Sequence, residues 1–178
     1  KHDYYLEAKS LTQAKLLKLS PDETWILIFK QIAVLCQNDN ALQFDIPTIR
    51  NIRAILPNLK SFREVSTEVK QQFVHLMQEI NLLKTFETLI HCGLLDIYLP
   101  EFADLKGQMQ FDRYHKYPTD QHIFNILKEI SSIFDKNFDK SIKIPLAIDI
   151  GKKIKRNDLL FISGLFHDLG KGRNVDHS

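Results

Sequence analysis

The chain has 178 residues, 44% hydrophobic and 26% charged, with 24 Lys and Arg against 22 Asp and Glu for a formal net charge of +2. That length suits one domain or two small ones with a sizeable core. The near-neutral balance argues against nucleic-acid binding by bulk charge, and no apolar run is long enough to span a bilayer. The opening Lys1-His2-Asp3-Tyr4-Tyr5 shows no signal peptide, and the lack of an initial Met reads as a piece of a longer protein. Cys36 and Cys92 lie far apart in apolar surroundings, which gives neither a metal spacing nor a disulfide framework. They read as buried thiols of a cytoplasmic protein.

Gly and Pro are scarce, at six each, and apolar residues recur at helical spacing almost throughout. Nothing reads as a hairpin or as alternating strands, so the pattern predicts an all-α fold. A first helix is expected from about Tyr4 to Leu19. Ser20 caps a second, with Pro21 in its first turn and Trp25, Ile28, Phe29, Ile32 and Leu35 as its buried stripe. A third starts near Pro47, carries Ile49, Ile52 and Leu56, and is closed by Pro57-Asn58. Ser61 and Glu64 have the spacing of a capping box ahead of a face made by Val69, Phe73, Leu76, Met77 and Ile80. The next helix spans Leu82 to His91, Gly93 reads as a left-handed stop, and Leu94 to Tyr98 is a short helical turn before Pro100. Leu105 to Tyr117 has no clean period and reads as an ordered loop.

Thr119 or Asp120 caps a further helix with Ile123, Ile126, Leu127, Ile130 and Phe134 inward, and His122 shares that inward face. Lys136 to Lys143 is a charged connection, and Pro145 to Lys153 is helical. Asn157 or Asp158 caps the last helix. From Leu159 to Phe166 it is apolar nearly all round, which suits a place in the middle of a domain. Gly164 would let a neighbouring backbone come close.

The chemistry is concentrated at Gly164-Leu165-Phe166-His167-Asp168-Leu169-Gly170-Lys171-Gly172-Arg173. An imidazole and a carboxylate at the end of a buried helix are suitable ligands for a divalent cation. Their side chains diverge by about 100° on a helix, yet both reach one ion held at the helix end. A third ligand must come from elsewhere, and the inward His122 is the natural candidate. Three protein ligands plus water make an open, catalytic arrangement. Lys171 or Arg173 is suited to a phosphate oxygen, although both also read as solvated loop charges. Together these features point to metal-assisted cleavage of a phosphate ester. A second His-Asp copy, His2-Asp3, sits at the terminus with no apolar helix ahead of it and carries no such signal.

His122 with His167-Asp168 in Gly-Leu-Phe-His-Asp-Leu-Gly-Lys-Gly resembles the opening of the HD-domain metal-dependent phosphohydrolases. The runs from Gly107 to His122 and from His167 to Ser178, with Gly93-Leu94-Leu95 and Leu99-Pro100-Glu101-Phe102, resemble one family more closely. That family is the bifunctional uridylyltransferase/uridylyl-removing enzymes of bacterial nitrogen regulation. The resemblance implies a helical linker bundle over 1–104 and the N-terminal part of an HD domain over 105–178. It matches His122, His167 and Asp168 to metal ligands and aligns His177 with a residue serving a second ion or the substrate. Asp168, Lys171 and His177 are the candidate catalytic residues. The implied cofactor is a divalent metal, Mn or Mg ahead of Fe or Zn. The implied substrate is the uridylylated PII signal protein, with glutamine sensed by C-terminal domains this sequence lacks.

The family's final metal Asp is also missing, so the chain alone is expected to show little or no activity. Apolar faces left uncovered favour self-association, with neither nucleic acid nor membrane as partner. Asn174-Val175 stands where the family usually has two glycines. Two other readings fit the residues: an HD phosphohydrolase of nucleotides, and a helical regulatory module whose His-Asp pair is structural.

Overall fold

A computed structural model describes residues 5–39, 41–78, 81–107, 118–134, 145–151 and 153–169. The chain divides into two compact units, Lys1–Ala103 and Asp104–Ser178. The described residues are predominantly helical, as the periodicity requires.

The first unit is built on α2 (Pro21–Gln37). Ser20 caps it: its Oγ accepts from Glu23 N, and Glu23 Oε2 accepts from both Ser20 N and Ser20 Oγ. These donors hold the Glu23 carboxyl below its ordinary range. All five residues of the predicted stripe are buried. Trp25 and Phe29 meet Tyr98 edge-on, at centroid distances of 5.1 and 5.5 Å, and Phe73 packs 4.6 Å from the same ring. The Trp25 indole donates to Lys60 O at 2.9 Å. Burial pushes the Tyr98 phenol up, and its hydroxyl has no hydrogen-bond partner among the described residues. Burial likewise pushes the Cys92 thiol up to about 12, which holds it neutral; Cys36 is buried too, with its Sγ 3.1 Å from Thr85 Oγ1.

The N-terminal segment departs from expectation. In place of one helix from Tyr4 to Leu19 there is a two-residue strand β1 (Tyr5–Leu6) and a single turn α1 (Gln13–Leu16). β1 pairs in parallel with β2 (Gln43–Phe44), a two-residue ladder within an otherwise helical fold. Long-range bonds outcompete the local helix: Asp45 N donates to Leu6 O at 3.0 Å, and Ala8 N donates to Thr48 Oγ1 at 3.2 Å. α3 (Ile46–Ile55) then starts under an Asp45 cap. Leu56 falls in the 3-10 turn Leu56–Asn58 that follows it.

Glu64 Oε2 accepts from Ser61 N and Oγ, which is half of a capping box; Glu64 N donates to Ser61 O instead of the side chain, and the pair closes a turn and not a helix. α4 (Thr67–Leu76) begins further on, under Ser66. α5 (Leu82–His91) has the predicted bounds. Gly93 is left-handed at φ 75°, which reverses the chain into α6 (Leu94–Tyr98), and α7 is Pro100–Ala103. Lys84 was not legible as an interior residue. It is only 8% exposed, because its ammonium donates to Leu35 O at 2.6 Å and Asn38 O at 2.9 Å, at the C-terminal end of α2.

The second unit is centred on α8 (Thr119–Phe134), against which α9 (Pro145–Gly151) and α10 (Asn157–Phe166) pack. Ile123, Leu127 and Ile130 are its buried stripe, with Ile126 and Phe134 half-buried. Thr119 and Asp120 lie within the first turn, not ahead of it. Asp120 Oδ1 accepts from Gly107 N at 3.3 Å, tying the preceding turn to the start of α8. Asn157 and Asp158 are likewise inside α10, whose cap position is Arg156. The Arg156 guanidinium grips the buried Asp158 carboxylate with bonds of 2.7 to 3.2 Å and holds its pKa down. α10 is apolar all round, as expected, but not buried all round. Phe161, Gly164 and Leu165 are covered, whereas Leu159 is 50% and Phe166 45% exposed. The expected loop over 106–115 and the connection from Lys136 to Lys143 lie largely outside the described residues.

Candidate metal centre

The ends of two helices make the site. His122 stands in the first turn of α8, and His167-Asp168 follows the last turn of α10. On α8, residues 122, 126 and 130 share a face, because four residues are close to one helical turn. Gly164 of α10 and Asp168, just beyond its end, are likewise four residues apart. Positions 126 and 130 lie against 164, while 122 lies against 167 and 168, so the two helices run antiparallel at the site.

One ligand atom from each of His122, His167 and Asp168 lies within 4.8 Å of the other two. Asp168 Oδ2 is 3.3 Å from His167 Nε2 and 3.7 Å from His122 Nε2. The imidazole centroids are 5.6 Å apart with their planes at 62°. Ligands about 2.1 Å from one ion stand about 3.0 to 3.4 Å from each other, for octahedral and tetrahedral angles respectively. The 3.3 Å edge already has that length, and the 3.7 Å edge is a few tenths longer. Asp168 is the buried member at 6% side-chain exposure. The imidazoles are about one-third exposed, which leaves a route for water or substrate.

The position of one ring hydrogen of His167 follows from its partner. Its Nδ1 is 2.7 Å from Gly164 O, and a carbonyl can only accept. Nδ1 therefore carries a hydrogen, which leaves Nε2, the atom next to Asp168, as the nitrogen this ring has to offer a metal ion. Two imidazole nitrogens and a carboxylate oxygen form a donor set that suits a divalent cation. The predicted trio is thus brought together. Lys171, Arg173 and His177 lie outside the described residues. The contribution of the Gly164 carbonyl was not readable from side-chain types, because a backbone group leaves no mark in a motif.

Fold and site together define the class: an all-α segment whose second unit gathers two histidines and an aspartate into a cluster able to hold a metal. Comparison with known proteins carries this further. The chain is 35% identical to the bifunctional uridylyltransferase/uridylyl-removing enzyme of Vibrio parahaemolyticus over 158 residues, 88% of this chain and 17% of that protein. It is 34% identical over 159 residues to the enzyme of the same name from Vibrio vulnificus, with the same coverage of 88% and 17%. Against that of Aliivibrio fischeri it is 39% identical over 134 residues, 74% of this chain and 15% of that protein. No family model and no solved structure matches the chain. The resemblance read from its motifs is therefore shown: the chain corresponds to a segment of the bifunctional uridylyltransferase/uridylyl-removing enzyme family. It spans about one-sixth of the length of those relatives.

Proposed function

We propose that this chain contributes the helical linker and the metal-ligating start of an HD-type phosphodiesterase, which removes UMP from a tyrosine of the uridylylated PII signal protein in the cytoplasm. The observation that carries the reading is the convergence of His122 with His167 and Asp168, 45 residues and more away in sequence. His122, His167 and Asp168 are the residues that would hold a divalent cation, Mn or Mg ahead of Fe or Zn. When bound, the ion supplies positive charge beside the phosphate and lowers the pKa of a water near it.

The chain's own residues do the rest. Gly164 O keeps the His167 ring in one tautomer. The buried Asp168 places its Oδ2 3.3 and 3.7 Å from the two imidazole Nε2 atoms. A cationic side chain, Lys171 or Arg173, neutralises charge on the non-bridging phosphate oxygens, and His177 contacts the substrate or a second ion. Water adds to phosphorus, the bond from phosphorus to the tyrosine oxygen breaks, and UMP and tyrosine result. The leaving phenolate has a pKa of about 10, so it departs readily.

The test uses a full-length enzyme containing this segment, with His167→Ala and Asp168→Asn introduced separately. Both variants are expected to lose UMP removal while keeping uridylyl transfer. Removal at the unaltered rate in both would overturn the reading. The isolated chain, assayed alongside, is expected to release little or no UMP.

A further inference from the structure

We infer that Gly164 is a positioning residue for the cluster, acting through its missing side chain on one side and its carbonyl on the other; this rests on the metal-centre reading above. A Cβ at this position would lie 2.8 Å from Ile130 Cδ1, and 3.4 Å from both Ile126 Cγ2 and Leu127 Cδ2. The closest of these contacts is shorter than two carbons tolerate, so a side chain at 164 wedges α8 and α10 apart or displaces Ile130. Glycine inside a helix is disfavoured relative to alanine, so local propensity alone gives no reason for it here. Its backbone conformation is ordinary as well, because its φ is not among the positive ones. What it provides is close approach.

The place of that approach gives it a functional consequence. Gly164 is one turn before Asp168 on α10 and faces the residues one and two turns after His122 on α8. Ile130 is buried, so where its tip does not turn aside a Cβ at 164 moves the donors of α10 relative to the donor of α8 without touching any of the three. The 3.7 Å edge between His122 and Asp168 crosses the helix pair and would open. The 3.3 Å edge between His167 and Asp168 lies within one helix end and would not. The carbonyl adds the second action. It lies in the last turn of the helix and accepts from His167 Nδ1 at 2.7 Å. One residue thus sets both the spacing of the two imidazoles and the tautomer of one of them.

The experiment combines imidazole NMR with Mn2+ calorimetry on the chain. In the unaltered protein, long-range nitrogen–proton correlations should show His167 as the Nδ1–H form, and ring protons of His122 and His167 should give a cross-relaxation peak. Gly164→Ala should keep the tautomer, weaken that peak and lower Mn2+ affinity about tenfold. Adding Ile130→Val, which removes the obstructing Cδ1, should restore both. An Nε2–H form of His167 in the unaltered protein overturns the inference and needs no variant to fold. So does a folded Gly164→Ala whose ring contact and Mn2+ affinity are unchanged. If the unaltered chain shows the expected tautomer and ring contact but binds no Mn2+, the metal reading fails while the positioning geometry stands.

Discussion

Replacing His122 by alanine separates metal binding from folding, because that side chain is one-third exposed at the N-terminal end of α8. Its loss should cost less than about 1 kcal/mol of stability in the absence of metal, as expected for a partly exposed position. It removes one of three donors, and even changes to groups that merely orient a ligand cost about 10- to 100-fold in metal affinity. A loss of at least about 100-fold is therefore expected. At Mn2+ set to about 100 times the dissociation constant of the unaltered protein, binding stabilises the folded unit by about 2.7 kcal/mol. For a unit of this size that corresponds to a rise in melting temperature of about 10–20 °C. At the same concentration a 100-fold weaker variant gains only about 0.4 kcal/mol, or about 2–3 °C. Thermal unfolding with and without Mn2+, followed by circular dichroism, reads both differences. A His122→Ala protein that keeps the full Mn2+ shift would refute the convergence of α8 and α10 as the basis of the site. So would an unaltered chain that shows no shift.

Two further outcomes test the folded scaffold. Lys84→Met keeps the apolar stem but removes two charge-assisted bonds to the end of α2; after relief of the buried charge, a net loss of about 2 kcal/mol is expected in urea unfolding, and a change under about 0.5 kcal/mol would contradict the capping role. Asp158 has a carboxyl held below its ordinary value by Arg156, so its contribution is present above the unfolded pKa of about 3.9 and lost as pH falls through the folded value. Acid titration of stability should be shallower in Asp158→Asn than in the parent only below about pH 4, and identical slopes there would remove the pair from the account.

The sequence by itself determined the helices whose information is local. Ser20, Pro21 and the stripe from Trp25 to Leu35 specify α2 without help from elsewhere, and Gly93 marks its turn because only a residue without Cβ takes φ 75° at little cost. It also named His122, His167 and Asp168, because residue chemistry marks them as ligands at the ends of two apolar-faced helices. The tertiary structure alone decided the rest. The region from Tyr5 to Leu16 has helical periodicity, yet bonds from Asp45 and Ala8 to partners about 40 residues away draw it into a strand and a single turn. Lys84 is interior only because the end of another helix meets it there with two carbonyls. The separations that make three side chains a site, 3.3 and 3.7 Å, depend on how closely α10 lies on α8. That closeness comes from packing at Gly164, where a non-local contact has no signature in the order of residues beyond the glycine itself.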